Sequence, residues 1–594
     1  RHEYDFDAAI EGGETIVRGR DIDTAPRRLH SWAATWIAHP AWQATLEWRQ
    51  VGAYFADAGN ARRYPGHDVG TLRVAWQASP RWRASLVILL AAAPALVVLV
   101  GLLGAWLTPA GDALQHQWRY LLPDASRNTL ILVLTVAAGA ALLGTALAAL
   151  VALCDFPGRN FFSWGLLLPL SIPGYVLAAV FAGSLDYSSP LYSWLREQLG
   201  WQWPSIRSVG GAALVLILTL FPYVYLIARV ALESAAQRYL EAASLLGRTR
   251  LQATREVLLP LALPAILAAT ALVAMETLAD FGVVAALNVD TLTTALYRAW
   301  YGMFSLVTAQ QIAGFLVIMA LLLLLLEHRA RASLRMRETG GVALQRRRLN
   351  PLQAALAMLF AGTILGISFL WPVGHLLAWA SSHFTADLDA RYWGYLARSV
   401  VLAGLGAFLI VSISTLFVYA RRDNVSWIAR GIAPLATAGY AIPGTVLAVG
   451  LYAPLTQALP WLQGTLFILF IAYITRFFAV GHAPMATGLA RLPIALDEAA
   501  LLLGSRSFER WQKIHWPMLK GSVAAAFALT FVDLMKELPI TLLTRPFGFE
   551  TLAIRVFELT SEGEWERAAV PAIALVLAGL WPLKWLAGRM SHAT

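Results

Sequence analysis

The feature that most constrains this chain is its set of long apolar runs without charge. Ala84 to Leu107 holds no ionisable side chain, and Phe315 to Leu326 holds no polar one. About 20 such residues cross the ~30 Å hydrocarbon core of a bilayer, where only helices and closed barrels satisfy their own backbone groups. Over the 594 residues, 58% are hydrophobic and 14% charged, with mean hydropathy +0.59. Soluble domains carry about 25% charged residues, so polar side chains are too few here to cover a water-facing surface. The chain reads as an all-α polytopic membrane protein.

Six spans are predicted at roughly 85–108, 128–153, 161–184, 211–231, 261–286 and 307–326. Six more follow at roughly 351–377, 398–420, 431–455, 464–482, 521–543 and 567–588. Between the sets lies a basic stretch from Glu327 to Asn350, with Arg329, Arg331, Arg335, Arg337, Arg346, Arg347 and Arg348 against Glu327 and Glu338. The positive-inside rule puts that stretch in the cytoplasm, and an even number of spans on each side puts both ends of the twelve-span unit there too. Arg421, Arg422, Lys584 and Arg589 fall on the same side. The net charge of +10 follows from this bias and does not call for nucleic acid. One cysteine, Cys154, cannot form an internal disulfide, and the eleven histidines, including His375 and His383, show no metal-ligand spacing. The polar, acidic N-terminal stretch does not read as a cleavable signal peptide.

The two sets of spans are parallel copies. Ile172-Pro-Gly-Tyr-Val-Leu-Ala178 recurs as Ile442-Pro-Gly-Thr-Val-Leu-Ala448, and Glu241-Ala-Ala-Ser-Leu-Leu-Gly247 recurs as Glu498-Ala-Ala-Leu-Leu-Leu-Gly504. Pro260 and Pro517 each lie 19 residues after the glutamate, and each glycine lies six after it. Both Glu-Ala-Ala segments fall in a predicted cytoplasmic loop between the fourth and fifth spans of their half. Each is helix-forming and mixed in character, with apolar residues beyond those its own bundle needs. Alanines permit close approach, and glycine permits a sharp turn. An interfacial helix lying on lipid does not account for two copies at identical spacing, whereas a docking helix does.

Glu-Ala-Ala, glycine at +6 and proline at +19 resemble the EAA loop of binding-protein-dependent ABC importer permeases. The resemblance runs from about residue 85 to the end, with Trp516 before Pro517 where the family usually has leucine, as at Leu259. It implies two six-helix repeats of the type I ABC importer transmembrane fold: a first permease domain at 84–328, a basic cytoplasmic linker at 329–350 and a second permease domain at 351–594. It also implies that Glu241, Ala242, Ala243, Gly247, Glu498, Ala499, Ala500 and Gly504 contact a separate ATP-binding subunit, present in two copies, and that a periplasmic binding protein delivers the substrate. Independently, none of the four lysines sits in a P-loop pattern. ATP and its magnesium are therefore expected on the partner, with no cofactor in this chain, and the chain is expected to be a transport subunit rather than an enzyme.

Ionisable residues within spans are costly and mark pathways or partners. Glu276 and Asp280 lie at i,i+4 in the predicted fifth span, and Asp533 and Glu537 occupy the equivalent span of the second copy. As hard oxygen donors they suit a cation path; otherwise they cap helix ends and brace neighbours. Lys536 is an available counter-ion for the second pair, and Arg476 reads as snorkelling or paired. Glu276-Thr-Leu-Ala-Asp-Phe-Gly282, Asp290-Thr-Leu-Thr-Thr-Ala-Leu-Tyr-Arg-Ala-Trp300 and Lys536-Glu-Leu-Pro-Ile-Thr-Leu-Leu-Thr-Arg-Pro-Phe-Gly548 resemble the ferric-iron subgroup, with related subgroups for thiamine and phosphonates sharing part of the pattern. The expected function is the permease of an ATP-driven importer in a bacterial inner membrane, for ferric iron. A secondary transporter of twelve spans also fits duplicated halves but gives no reason for the paired loops.

Residues 1–83 differ from the rest, with 11 Arg against 10 Asp and Glu, and six of the 23 tryptophans. Ser31–Ile37, Ala44–Phe55 and Thr71–Gln77 alternate aromatic and polar residues between turn signals, the pattern of antiparallel strands. With Arg18–Arg27 and Tyr64-Pro-Gly-His-Asp68 they resemble a C-terminal fragment of a TonB-dependent outer-membrane receptor. A small soluble β extension is the other reading, and neither assigns the segment a transport role.

Overall fold

The computed structural model describes residues 26, 28–39, 42–55, 62–76, 80–109, 111–187, 189–200, 204–332, 346–422, 426–505 and 507–590. Arg18 to Ala25, Arg27, Arg335 and Arg337, singled out above, lie outside these residues. The described chain forms two compact units, residues 1–86 with 423–426, and residues 87–422 with 427–594.

The smaller unit is built on strands β1 (Leu29–His39), β2 (Trp42–Val51), β3 (Tyr54–Phe55), β4 (Arg63–Tyr64) and β5 (His67–Trp76). β1, β2 and β5 form an antiparallel sheet in that order, in the three segments the alternation predicts, and β3 pairs with β4. The register sets Trp32 opposite Trp48 and Leu46 opposite Leu72, so strand alternation gathers these apolar side chains on one face. Trp32, Trp48, Leu46 and Leu72 are all exposed. Within this sheet β1 and β5 are edges, so it is not a closed barrel.

The larger unit is helical. Its first half comprises α1 (Pro80–Trp106, which begins in the smaller unit), α2 (Asp112–Tyr120), α3 (Leu122–Leu153), α4 (Arg159–Gly165), α5 (Gly174–Leu185) and α6 (Pro190–Leu199). It continues with α7 (Val209–Leu245), α8 (Arg250–Ala253), α9 (Leu259–Ala279), α10 (Gly282–Ala286), α11 (Leu292–Tyr297) and α12 (Leu306–Ala332). The second half comprises α13 (Pro351–Leu365), α14 (Trp371–Asp387), α15 (Ala390–Ala420), α16 (Trp427–Ala438), α17 (Gly444–Ala458) and α18 (Leu466–Ala490). It ends with α19 (Ile494–Leu502), α20 (Ser507–Arg510), α21 (Trp516–Lys536), α22 (Pro539–Thr544), α23 (Leu552–Ser561) and α24 (Trp565–Met590).

Among the described residues, nine helices are long and apolar enough to cross a membrane, and a tenth candidate is the pair Arg159–Ser171 and Gly174–Leu185, bent by 87°. The predicted spans 161–184 and 431–455 are thus not continuous. Both break at the repeated Ile-Pro-Gly. Proline disfavours the α region for the residue before it, and Ile172 (φ −89°, ψ 120°) and Ile442 (φ −80°, ψ 127°) are extended. Each break follows a 3₁₀ turn, Leu168–Ser171 and Gly439–Ala441, and a new helix starts at the glycine. The fifth spans also end early. α9 stops at Ala279 and α21 at Lys536, and each is followed by a short helix, α10 or α22.

The halves interlock through their first and third spans. On α1, an added Cβ at Gly101 would meet Pro454 Cγ at 2.6 Å and the Gly450 carbonyl at 3.0 Å on α17. The reciprocal contact sets Trp371 of α14 edge-on to Phe181 of α5, ring centroids 4.9 Å apart, with Trp379 against Gly183. The end of the basic linker is docked as well. Arg347 and Arg348 pair in parallel with Cys154 and Asp155 after α3, and Arg346 lies 3.5 Å from Glu233 of α7.

Candidate functional site

Two places carry the features that the sequence singles out. The first is the pair of Glu-Ala-Ala segments. In the second half the segment is the separate helix α19, opened by Pro493; in the first it is the last turns of the 37-residue α7, not the short isolated helix expected. The side chains of Glu241 and Ala242 lie outside the described placement. Both segments end in the same way. Gly247 (φ +73°) and Gly504 (φ +75°) take the left-handed conformation, and the next amide bonds back to the buried alanine, Arg248 to Ala243 and Ser505 to Ala500, each at 3.0 Å. This is the Schellman closure, for which glycine is the usual residue. It leaves Leu246 81%, Leu502 90% and Leu503 88% exposed, apolar side chains at a helix end that no described residue covers.

Beyond each turn the chain re-enters the bundle through a π-helical segment, Thr254–Leu258 and Trp511–His515. The prolines explain it. Pro260 and Pro517 have no N–H, so the ladder before them shifts by one residue; the amides of Leu259 and Trp516 bond carbonyls five back, at Thr254 and Trp511. In the second half a polar network seats α19. Asp497 accepts from Arg422 at 2.9 Å and meets His515 Nε2 at 2.7 Å, while Arg422 also donates to the Leu489 and Leu492 carbonyls at 2.9 and 2.8 Å.

The second place is a cavity of about 220 Å³ lined by both halves. Glu276, Asp280, Asp533 and Glu537 all line it, together with Arg476, Lys536, Tyr175, Tyr223 and Tyr440. The four acids therefore share one wall system, but the i,i+4 spacing predicted within each fifth span does not hold both acids of a pair in one helix. Asp280 and Glu537 sit one residue past α9 and α21, with extended ψ of 132° and 124°. There they accept amides of the next short helix. Asp280 Oδ1 takes the Val283 and Val284 amides at 3.0 and 3.3 Å. Glu537 takes the Ile540 and Thr541 amides at 2.8 and 3.0 Å, and the Thr541 hydroxyl at 2.8 Å. A carboxylate on free helix amides is a favourable cap. Glu276 and Asp533 remain within their helices, at matching positions one turn from the end.

The cations in the cavity serve the broken spans. Lys536 donates to the Leu170 carbonyl at 2.7 Å, and Arg476 donates to the Ile442 carbonyl at 2.9 Å with Glu276 3.9 Å away. Those carbonyls lie where the third spans stop, so they lack helical partners. Sequence reasoning left Arg476 without a role and did not single out the tyrosines. Arg476 was visible as an ionisable residue in a span; nothing local in the sequence shows that α18 carries it to the break at Ile442.

Comparison with known proteins bears on the whole arrangement. The profile of the family described as "Binding-protein-dependent transport system inner membrane component" matches residues 140–330. The Fe(3+)-transport system permease protein FbpB 2 of Haemophilus influenzae is 27% identical over 504 residues, 84% of this chain and 96% of that protein. The ferric transport system permease protein FbpB of Actinobacillus pleuropneumoniae is 24% identical over 399 residues, 62% of this chain and 57% of that protein, so less than two thirds of its length is spanned. A putative 2-aminoethylphosphonate transport system permease protein PhnV of Salmonella typhimurium is 25% identical over 195 residues, 33% of this chain and 74% of that protein. These likenesses agree with the permease fold expected from the repeated loops. With its membrane-crossing helices, the chain is a multi-pass protein of the bacterial inner membrane, similar over residues 140–330 to the inner membrane component of binding-protein-dependent transport systems.

Proposed function

We propose that this chain is the membrane subunit of an ATP-driven importer of ferric iron, two permease domains fused in one polypeptide. The observation that carries the reading is the pair of Glu-Ala-Ala segments closed by identical Schellman turns, each followed by a π segment into the fifth span. Two docking elements with the same closing turn suit two copies of an ATP-binding subunit, and the exposed Leu246, Leu502 and Leu503 are what such a partner would cover. Glu241, Ala242, Ala243, Gly247, Glu498, Ala499, Ala500 and Gly504 form the coupling surface. A periplasmic binding protein delivers ferric iron to the opposite face. ATP binding draws the partner subunits together, the two turns follow, and the cavity opens outward; hydrolysis returns it. The intramembrane acids face the cargo route.

The substrate reading rests on the ferric permease relatives and on an excess of carboxylates over cations in the cavity. A phosphonate cargo is the second reading, favoured by Arg476 and Lys536 in the same wall. Reconstitution with an ATP-binding subunit and a binding protein decides: ATP-dependent uptake of ferric iron is expected, with no uptake of 2-aminoethylphosphonate. Replacing Glu241 and Glu498 together by Ala should abolish uptake while the chain still inserts. Unchanged uptake in that double variant would sink the coupling assignment.

A further inference from the structure

We propose that the corner where the end of the basic linker docks on the first half is a binding site for one anionic phospholipid of the inner leaflet, its phosphodiester held by Arg346 with Arg347 and Arg348. The inference does not depend on the cargo. It needs only the cytoplasmic placement of the basic stretch, which the positive-inside rule gives.

The balance of charge in the corner carries it. Three guanidiniums converge on a single carboxylate oxygen: Glu233 Oε1 lies 3.2 Å from Arg229, 3.5 Å from Arg346 and 3.9 Å from Arg159. Arg347 and Arg348 follow in the chain, exposed, paired through their backbone with Cys154 and Asp155. Five arginines thus share two carboxylates, Glu233 and Asp155, and like charges this close repel. The corner is short of an anion.

The contacts show which arginines are free to take one. Arg229 donates to the Ser163 carbonyl at 2.7 Å, and Arg159 donates to the Val151 carbonyl at 2.8 Å, so both are fixed to the first half. Their side chains are 19% and 12% exposed, against 30% for Arg346. Arg346 has the weaker hold: its Nε–H has no hydrogen-bond partner among the described residues, which is unusual for a buried donor. Its exposed end and the two arginines after it can fork onto phosphate oxygens, the pairing for which guanidinium is suited.

The surroundings independently point to a lipid rather than a soluble phosphate. Phe161 and Trp164 of α4 are exposed and stand edge to face, ring centroids 5.3 Å apart. α13 starts at Pro351, just after the arginines, and exposes Leu352 and Leu356. The two helices lie side by side, since an added Cβ at Gly165 would meet Leu365 at 3.6 Å and one at Gly362 would meet Phe162 at 4.0 Å. The basic corner therefore adjoins apolar side chains of both helices, a charged head site beside a surface for acyl chains. Aromatic side chains favour this depth of the membrane, and basic pockets between helices on the cytoplasmic side suit anionic headgroups.

The test is native mass spectrometry of the full chain in mild detergent, with dioleoylphosphatidylglycerol against dioleoylphosphatidylcholine, which has the same chains and no net charge. The wild type should retain one phosphatidylglycerol, preferred about tenfold or more. Replacing Arg346, Arg347 and Arg348 together by Gln should remove most of that preference, replacing all three by Lys should keep part of it, and Arg421→Gln should leave it unchanged. Glu233→Gln separates a ligand site from an ion pair that only fastens the linker. Removing the resident carboxylate frees its partners and should raise phosphatidylglycerol retention at least twofold. That variant carries the test if the triple Gln chain does not survive purification. Millimolar inorganic phosphate should not displace the lipid; displacement would assign the site to a soluble phosphate and overturn the lipid. Equal retention of the two lipids by the wild type, an unchanged preference in the triple Gln chain, or unchanged or lower retention in Glu233→Gln overturns the site.

Discussion

At the scale of the residue, the same chemistry at two equivalent positions has different uses depending on a single helix end. Glu276 and Asp533 stay inside their helices, while Asp280 and Glu537, four residues on, become caps. Spacing shows the acids but not the end, because the residues up to the break are as helix-compatible as those before it. The glycines of the coupling turns were more legible, since a glycine six after Glu-Ala-Ala, in duplicate, already asks for a conformation other residues resist. The structure supplies the reason at Gly504, where φ is +75° and no atom lies within 4 Å of where a Cβ would sit. The cost of a side chain there is conformational, not steric. Gly504→Ala should therefore cost about 1 kcal/mol of local stability, and hydrogen exchange at the Ser505 amide, which closes the turn onto Ala500, should quicken by roughly fivefold. Gly504→Asn should quicken it less, because Asn enters the left-handed region more readily. Equal protection in wild type and Gly504→Ala would show that the turn is held by something other than its own backbone.

At the scale of the element, hydropathy locates helices well and their interruptions poorly. Apolar content stays high through Ile172 and Ile442, so the broken third spans read as continuous until the extended backbone before each proline is seen. What keeps the second break compact is Gly439. Its 3₁₀ turn lies so close to α18 that an added Cβ would collide with the Thr475 carbonyl. Backbone cannot give way as a flexible side chain can, so Gly439→Ala should push α16 and α17 off α18, at about 1–3 kcal/mol. Gly431, on α16, has nothing within 4 Å of its Cβ position, and Gly431→Ala should be neutral or gain up to about 1 kcal/mol from helix propensity. Thermal unfolding in detergent separates the two: a lower midpoint for Gly439→Ala alone is expected, and equal midpoints would mean the third span does not rest on α18 at this glycine.

At the scale of the whole molecule, the repeat was legible from matched motifs, but the way the copies embrace was not, because contacts between α1 and α17, or α14 and α5, leave no trace in local sequence. That interlocking has a consequence for the fused chain. Each half supplies the surface that covers the other's third span, and Lys536 of the second half satisfies Leu170 of the first. Within the membrane no hydrophobic effect draws helices together, so association rests on close packing at small residues and on hydrogen bonds; Gly101 against Gly450 and Pro454, and Gly183 against Trp379, are such contacts. Of the connection between the halves, Arg346 to Arg348 are docked on the first half. Cutting the chain between residues 336 and 344 and expressing the pieces together should yield a complex that copurifies and retains ATP-dependent uptake per assembled molecule. A cut after Asn350 would take Arg346 to Arg348 away from the half that begins with α13, freeing that half from its anchor on Asp155 and Glu233, and assembly should drop severalfold. If the first cut already prevents copurification, the halves are held by the linker and not by their interlocked spans.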